Sequence, residues 1–270
     1  MKTLANHTLI YDEDCPLCQA YTSTFVKTGM LDSDGRKSYS ATVTNAPEFL
    51  DIELAKNEIA LVDTDRRTVT YGIDSLLTVI GHSFPLIKKI GYLSPVHYLL
   101  KKLYSFISYN RKVIIPARIS ETTAGCEPAF NYRYRIAYIL TATLLTSLIL
   151  HRYSQYVPMP QGGYVREFLL AAGQIVFQLI FMMKQGREKA VNYIGNLMTV
   201  SFGGSLLLLP ILIINKFVQL PNDVFLGWFL VVATLMFIEH RRRVKLLAMP
   251  GILTYSWILY RFLFLILLFR

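Results

Sequence analysis

The chain has 270 residues, 53% of them hydrophobic, and 28 Lys and Arg against 18 Asp and Glu give a formal net charge of +10 at pH 7. That length holds one or two domains, and the basic residues sit at the ends of apolar runs instead of forming a patterned basic and aromatic surface, so no nucleic-acid partner is expected. Hydrophobic residues are so unevenly spread that the two halves must meet different solvents: residues 1–131 carry charges throughout, and 132–270 is mostly long apolar runs joined by short basic loops.

The opening stretch, MKTLANHTLIYDEDC, is interrupted by acids before it can supply the apolar segment of a secretory signal. The first half is therefore expected in the cytosol. Residues 8–11 form a short apolar strand ending at the acids, and Leu17, Tyr21, Phe25 and Val26 then recur at helical spacing. Cys15-Pro16-Leu17-Cys18 thus falls where a strand passes into a helix. A second strand is predicted over 37–43, a helix over 46–56, a hairpin-like pair over 59–62 and 68–71 joined by DTDRR, and a helix over 73–80. This β-α-β-α-β-β-α succession is the order of a thioredoxin-like α/β domain.

That placement gives the cysteines a chemistry. A thiol at a helix N-terminus meets the positive end of the helix dipole, which stabilises the thiolate. Cys15 is then the attacking sulfur and the more exposed one, and Cys18, one turn on and shielded by its own helix, resolves a mixed disulfide. Pro16 suits the first helical position, where its missing donor costs little. Asp12, Glu13 and Asp14 oppose a further anion. Other readings stay open: two packed small hydrophobes, or a copper or zinc carrier using both thiolates. A structural zinc site wants four ligands, and no second Cys-x-x-Cys or His pair accompanies this one, so no metal and no cofactor are assigned. Cys126 reads as a lone structural cysteine.

YDEDCPLC followed by a helix, and later YGIDSLLTVIG, resemble the DCC family of thioredoxin-like proteins, described as thiol-disulfide oxidoreductases. The resemblance spans roughly residues 9–111 and rests on Asp12, Asp14, Cys15, Pro16 and Cys18, then on Gly72 with the helix after it. It implies dithiol redox chemistry on a protein or small-thiol disulfide. Two departures stand out: the family often has Gly where Glu13 stands, and KNEIALVD lacks the cis-proline that thioredoxins place opposite the dithiol. The apolar half lies outside the resemblance.

Between 84 and 115, Leu99, Leu100, Leu103, Phe106 and Ile107 make an apolar stripe, with Lys88, Lys89, Lys101, Lys102, Arg111 and Lys112 around it. Such a stripe either rests on an anionic membrane or packs on the sheet, and packing is expected for most of it. Residues 1–115 are assigned to the thioredoxin-like domain, 116–131 to a linker and 132–270 to an all-α transmembrane bundle.

Five apolar segments can be drawn in that bundle, over 132–150, 165–183, 191–214, 223–238 and 252–269, the first and fourth being short. Turns are predicted at Gly162-Gly163, at 184–187, at 220–222 and at 249–251. Arg133 and Arg135, then Lys184, Arg187 and Lys189, then Arg241, Arg242, Arg243 and Lys245 share one side. Arg152, Arg166, Lys216 and Arg270 fall on the other. The cation bias predicts five spans with the N-terminal domain cytoplasmic and the C-terminus outside, in a bacterial inner membrane. Inside the spans, Gln174 with Gln178 and Asn192 with Asn196 are placed to knit helices together. Arg261 is expected to face the bundle interior near Gln174, Gln178 or Asn196, and Glu239 and His240 to begin a basic loop at the interface.

The sequence therefore predicts a membrane-anchored, cytoplasm-facing thiol-disulfide oxidoreductase with Cys15 and Cys18 catalytic. Its partners are a disulfide substrate, membrane lipid and a membrane protein. A metal carrier and a non-catalytic scaffold are the alternatives.

Overall fold

The computed structural model describes residues 2–116, 126, 128–158, 160 and 163–268, in two compact units, Met1–Tyr134 and Arg135–Arg270. Gly162, Phe269, Arg270 and most of the 116–131 linker lie outside the described residues.

The first unit runs β1 (His7–Tyr11), α1 (Pro16–Lys27), β2 (Arg36–Ser38), α2 (Tyr39–Val43), α3 (Ile52–Asn57), β3 (Ala60–Asp63), β4 (Thr68–Tyr71), α4 (Ile73–Ser83), α5 (Pro85–Gly91) and α6 (Ser94–Ile114). The four strands form one mixed sheet in the order β2-β1-β3-β4. β1 and β2 are parallel, with Leu9 opposite Arg36, and α1 makes the crossover that a parallel pair requires. β3 lies antiparallel to β1, Leu61 facing Leu9, and to β4, Leu61 facing Thr70.

Side chains alternate across a strand, and here the alternation fills two cores. Leu9 and Leu61 pack with Phe25, Leu31 and Val79 on one face, whereas Ile10, Ala60 and Val62 pack with Tyr39, Leu50 and Ala55 on the other. Both faces are covered, so a one-residue slip would force each core set into the other core.

The strand predicted over 37–43 is cut short: only Arg36–Ser38 is extended, and the chain turns helical at Tyr39. Ser38 caps that helix by accepting the Ala41 N–H. The Glu13 carboxylate accepts the N–H groups of Tyr39 and Ser40 at 3.1 and 3.2 Å, a helix start that local propensity does not reveal. The helix predicted over 46–56 begins only at Ile52, where Asp51 accepts the Leu54 N–H. Gly72 enters α4 with φ of 63°, a conformation that favours glycine.

The second unit is helical: α7 (Tyr132–Ser154), α8 (Tyr164–Met182), α9 (Arg187–Ile214), α10 (Asn222–Leu246) and α11 (Ile252–Leu268). The first four are long and apolar enough to cross a membrane. The first and fourth are not short, at 23 and 25 residues; helical hydrogen bonding continues beyond their apolar windows. α11 is the short one, with 17 residues. The cations from Arg241 to Lys245 do not form a loop but complete the last turns of α10, and the chain reverses at Ala248, whose φ is 50°. Tyr193, Leu197 and Met198 of α9 centre one core with Met182, Val244, Leu253 and Trp257. Tyr153, Leu208, Phe225 and Val232 form another.

Candidate functional site

The site is built on the turn between β1 and α1. Asp12 follows the strand and is buried; its Oδ1 accepts the Asp14 N–H at 3.0 Å, and its carbonyl accepts the Cys15 N–H at 3.2 Å. That tight turn delivers Cys15 in extended conformation as the N-cap of α1, with Pro16 at the first helical position. The Cys15 sulfur accepts the Cys18 N–H at 3.4 Å and so occupies the place of a capping oxygen.

Helix geometry alone makes Cys15 the exposed thiol and Cys18 the shielded one. The structure reverses the exposure: Cys15 is 1% exposed and Cys18 half-buried, because the Cys15 sulfur turns in over the helix end to cap it. The electrostatic order still favours Cys15. A hydrogen bond from the Cys18 thiol lowers the Cys15 pKa to about 6, helped by the Cys18 N–H and the Arg111 charge, while burial and Asp12 push the other way. Cys18 is driven far up by that same hydrogen bond, by burial and by the Cys15 charge. Both thiols are free, and the arrangement describes one thiolate held by its neighbour's proton.

The acids of YDEDC are largely neutralised. Arg111 donates from Nε to Asp12 Oδ2 at 3.0 Å, and Lys112 Nζ lies 3.3 Å from the same oxygen. Glu13 is engaged with the N–H groups of α2. Arg111 is itself pinned: Nη2 donates to the Lys56 carbonyl at 3.0 Å, and Nη1 to the Asn57 carbonyl and Ser108 Oγ at 3.3 and 3.2 Å. Cys126 Sγ lies 3.5 Å from Arg111 Nη2, and burial pushes that thiol up to about 12. Cys18, Cys126, Asp12, Arg111, Tyr104 and Glu58 share the lining of a cavity of about 30 Å³, room for a water or two.

No protein-family model matches the chain, and no curated protein or solved structure matches it either.

Sequence reading missed Arg111 and Lys112, which it assigned to the surroundings of an apolar stripe, and it separated Cys126 from the dithiol. One signal pointed to them: the acid cluster needs cations, and 84–115 carries six Lys and Arg with no Asp or Glu. Among the described residues no group of three or more His, Cys, Asp or Glu is placed to hold a metal ion.

The polar residues of the helical unit make contacts between helices. Gln178 accepts from Tyr193 Oη and Ser256 Oγ, both at 3.1 Å, and donates to the Leu253 carbonyl. His240 completes this cluster at 3.1 Å from Tyr193 Oη, so it is buried and not at an interface. Asn192 and Asn196 each accept from an arginine on another helix, Arg135 at 2.7 Å and Arg243 at 3.0 Å. Among the described residues Gln174 is buried with neither amide atom paired. Arg261 lies 5.5 Å over the Trp257 ring, a cation–π contact.

Proposed function

We propose that this chain is a membrane-anchored thiol-disulfide oxidoreductase whose N-terminal unit is a thioredoxin-like domain of the DCC type. The observation that carries the reading is the Cys15 sulfur at the N-terminus of α1, accepting the Cys18 N–H and held near pKa 6. A structural pair of small hydrophobes has no use for such a thiolate. The β-α-β crossover followed by a hairpin and a helix supports the fold assignment.

In the reductive direction the Cys15 thiolate attacks one sulfur of a substrate disulfide, forming a mixed disulfide and releasing the other half as thiolate. Cys18 then gives up its proton and attacks the Cys15 sulfur. The Cys15–Cys18 disulfide forms, the second substrate thiolate leaves, and two electrons have passed to the substrate. Arg111 and Lys112 offset part of the opposition of Asp12 to the first thiolate. Cys15 is buried, so a disulfide reaches it only when the groups over its sulfur move aside.

The four long apolar helices support membrane insertion. Cations at the start of α7, between α8 and α9 and at the end of α10 support a cytoplasmic N-terminal unit in a bacterial inner membrane. The substrate class is a protein or small-thiol disulfide. Anaerobic titration of the reduced full chain tests the reading: a two-electron dithiol couple is expected. Tight stoichiometric copper or zinc binding without such a couple would assign a metal carrier, and neither behaviour would assign a scaffold.

A further inference from the structure

The outer surface of α5 and α6 is apolar and uncovered. Leu99, Leu103 and Ile107 recur every fourth residue and so share one helix face, yet Leu99 is 66% and Leu103 50% exposed. The expectation that this stripe packs on the sheet therefore fails for these three residues. α6 docks through its opposite side, where Tyr104 Oη accepts the Ile59 N–H and Ser108 donates to the Asn57 carbonyl. α5 adds Leu86, Ile87 and Ile90, with Leu86 69% exposed.

Charge decides what can cover this face. From Phe84 to Ile115 the chain carries six cations and no acid. Arg111 and Lys112 are turned inward onto Asp12, while Lys88, Lys89, Lys101 and Lys102 are exposed beside the apolar residues. Lys102 lies over the Tyr98 ring at 5.5 Å, keeping an ammonium at the edge of the apolar surface. Exposed leucines and isoleucines flanked by lysines, with an aromatic among them, form the pattern of a helix lying in the headgroup region of a bilayer. A second copy of the same face would bring like charges together. α6 ends at Ile114 and the first candidate span begins at Tyr132, so membrane insertion of the helical unit keeps a bilayer within reach of the N-terminal unit.

We infer that the α5–α6 face is a membrane-docking surface for an anionic lipid leaflet, with its leucines and isoleucines in the interface and Lys88, Lys89 and Lys102 on lipid headgroups. This rests on membrane insertion of the helical unit and is independent of any chemistry at the dithiol.

The test is residue-resolved lysine acetylation, read by mass spectrometry, on the full chain in phosphatidylcholine discs with and without phosphatidylserine. Lys27 and Lys37, exposed on the same unit, serve as references. Phosphatidylserine should slow Lys88, Lys89 and Lys102 by about fivefold or more and leave Lys27 and Lys37 unchanged. A Leu86→Glu, Leu99→Glu double variant should lose the protection at unchanged reference rates, which also reports that the unit stays folded. Equal rates in both discs would overturn the inference. So would protection that follows the number of chains per disc, which assigns the face to a second copy, or protection seen only in native membranes, which assigns it to a protein partner.

Discussion

The Arg111 guanidinium reaches back 99 residues to donate from Nε to Asp12 Oδ2 at 3.0 Å, with both side chains buried. The ion pair thus partly offsets the charge that the carboxylate ahead of the dithiol presents to Cys15. Removing Arg111 leaves only Lys112 beside the buried Asp12, and stranding a buried charge outright, the upper bound here, costs about 3–5 kcal/mol. Arg111→Met is therefore expected to destabilise the chain by up to that amount and to raise the Cys15 pKa. Denaturant unfolding and thiolate absorbance measure the two effects, and a loss below about 1 kcal/mol would show that the pair behaves as a solvated surface contact.

Cys15 gives the protein a definite pH signature. Its thiol is lowered to about 6 in the folded chain and returns to about 8.5 on unfolding. Between those values the unfolded chain binds a proton that the folded one lacks, so stability rises with pH. The contribution is full above about 8.5 and is lost as pH falls through about 6. Thiolate absorbance of the reduced protein should show one step centred near pH 6, abolished by Cys15→Ser. A first step near 8.5, the ordinary thiol value, would contradict the capping geometry.

Glu13 ties the dithiol turn to α2 by accepting two backbone N–H groups. Glu13→Ala removes both acceptors, and the loss of a helix cap costs about 0.5–2 kcal/mol. Thermal unfolding of the variant should fall accordingly. Glu13→Asp shortens the reach of the carboxylate and should recover little of the loss.

The helical unit sets a topology test. α11 has 17 residues, which at 1.5 Å each reach about 25 Å against a hydrocarbon core of about 30 Å. Slight thinning or oblique neighbours accommodate that difference. A reporter fused after Arg270 should lie on the side opposite the N-terminus; a reporter on the same side would leave four spans.

Local signals read the elements whose causes are local. Leu17, Tyr21 and Phe25 announce α1, the short apolar run through Leu9 and Ile10 announces β1, and Pro16 marks the helix start. Where a distant residue decides, the sequence was silent. KSYSATV has the composition of a strand, but Glu13 joins the local cap Ser38 at the helix start that ends β2. Arg111 looks like one more cation on an amphipathic helix until folding brings it to Asp12. Cys15 is buried for a reason that helix position cannot express, since its own sulfur is the cap. In the helical unit, apolar windows found each helix but misjudged its ends. Arg243 falls in the last turns of α10, beyond the apolar window, where Asn196 receives it.

The division of labour between the two sulfurs is tested most directly by a Cys18→Ser variant incubated with a small disulfide at neutral pH and mapped by mass spectrometry. Without the resolving thiol, a mixed disulfide should accumulate on Cys15 and leave Cys126 free, whereas the Cys15→Ser variant should trap none. An adduct on Cys126, or none on Cys15 while the variant remains folded, would contradict the assignment of Cys15 as the nucleophile.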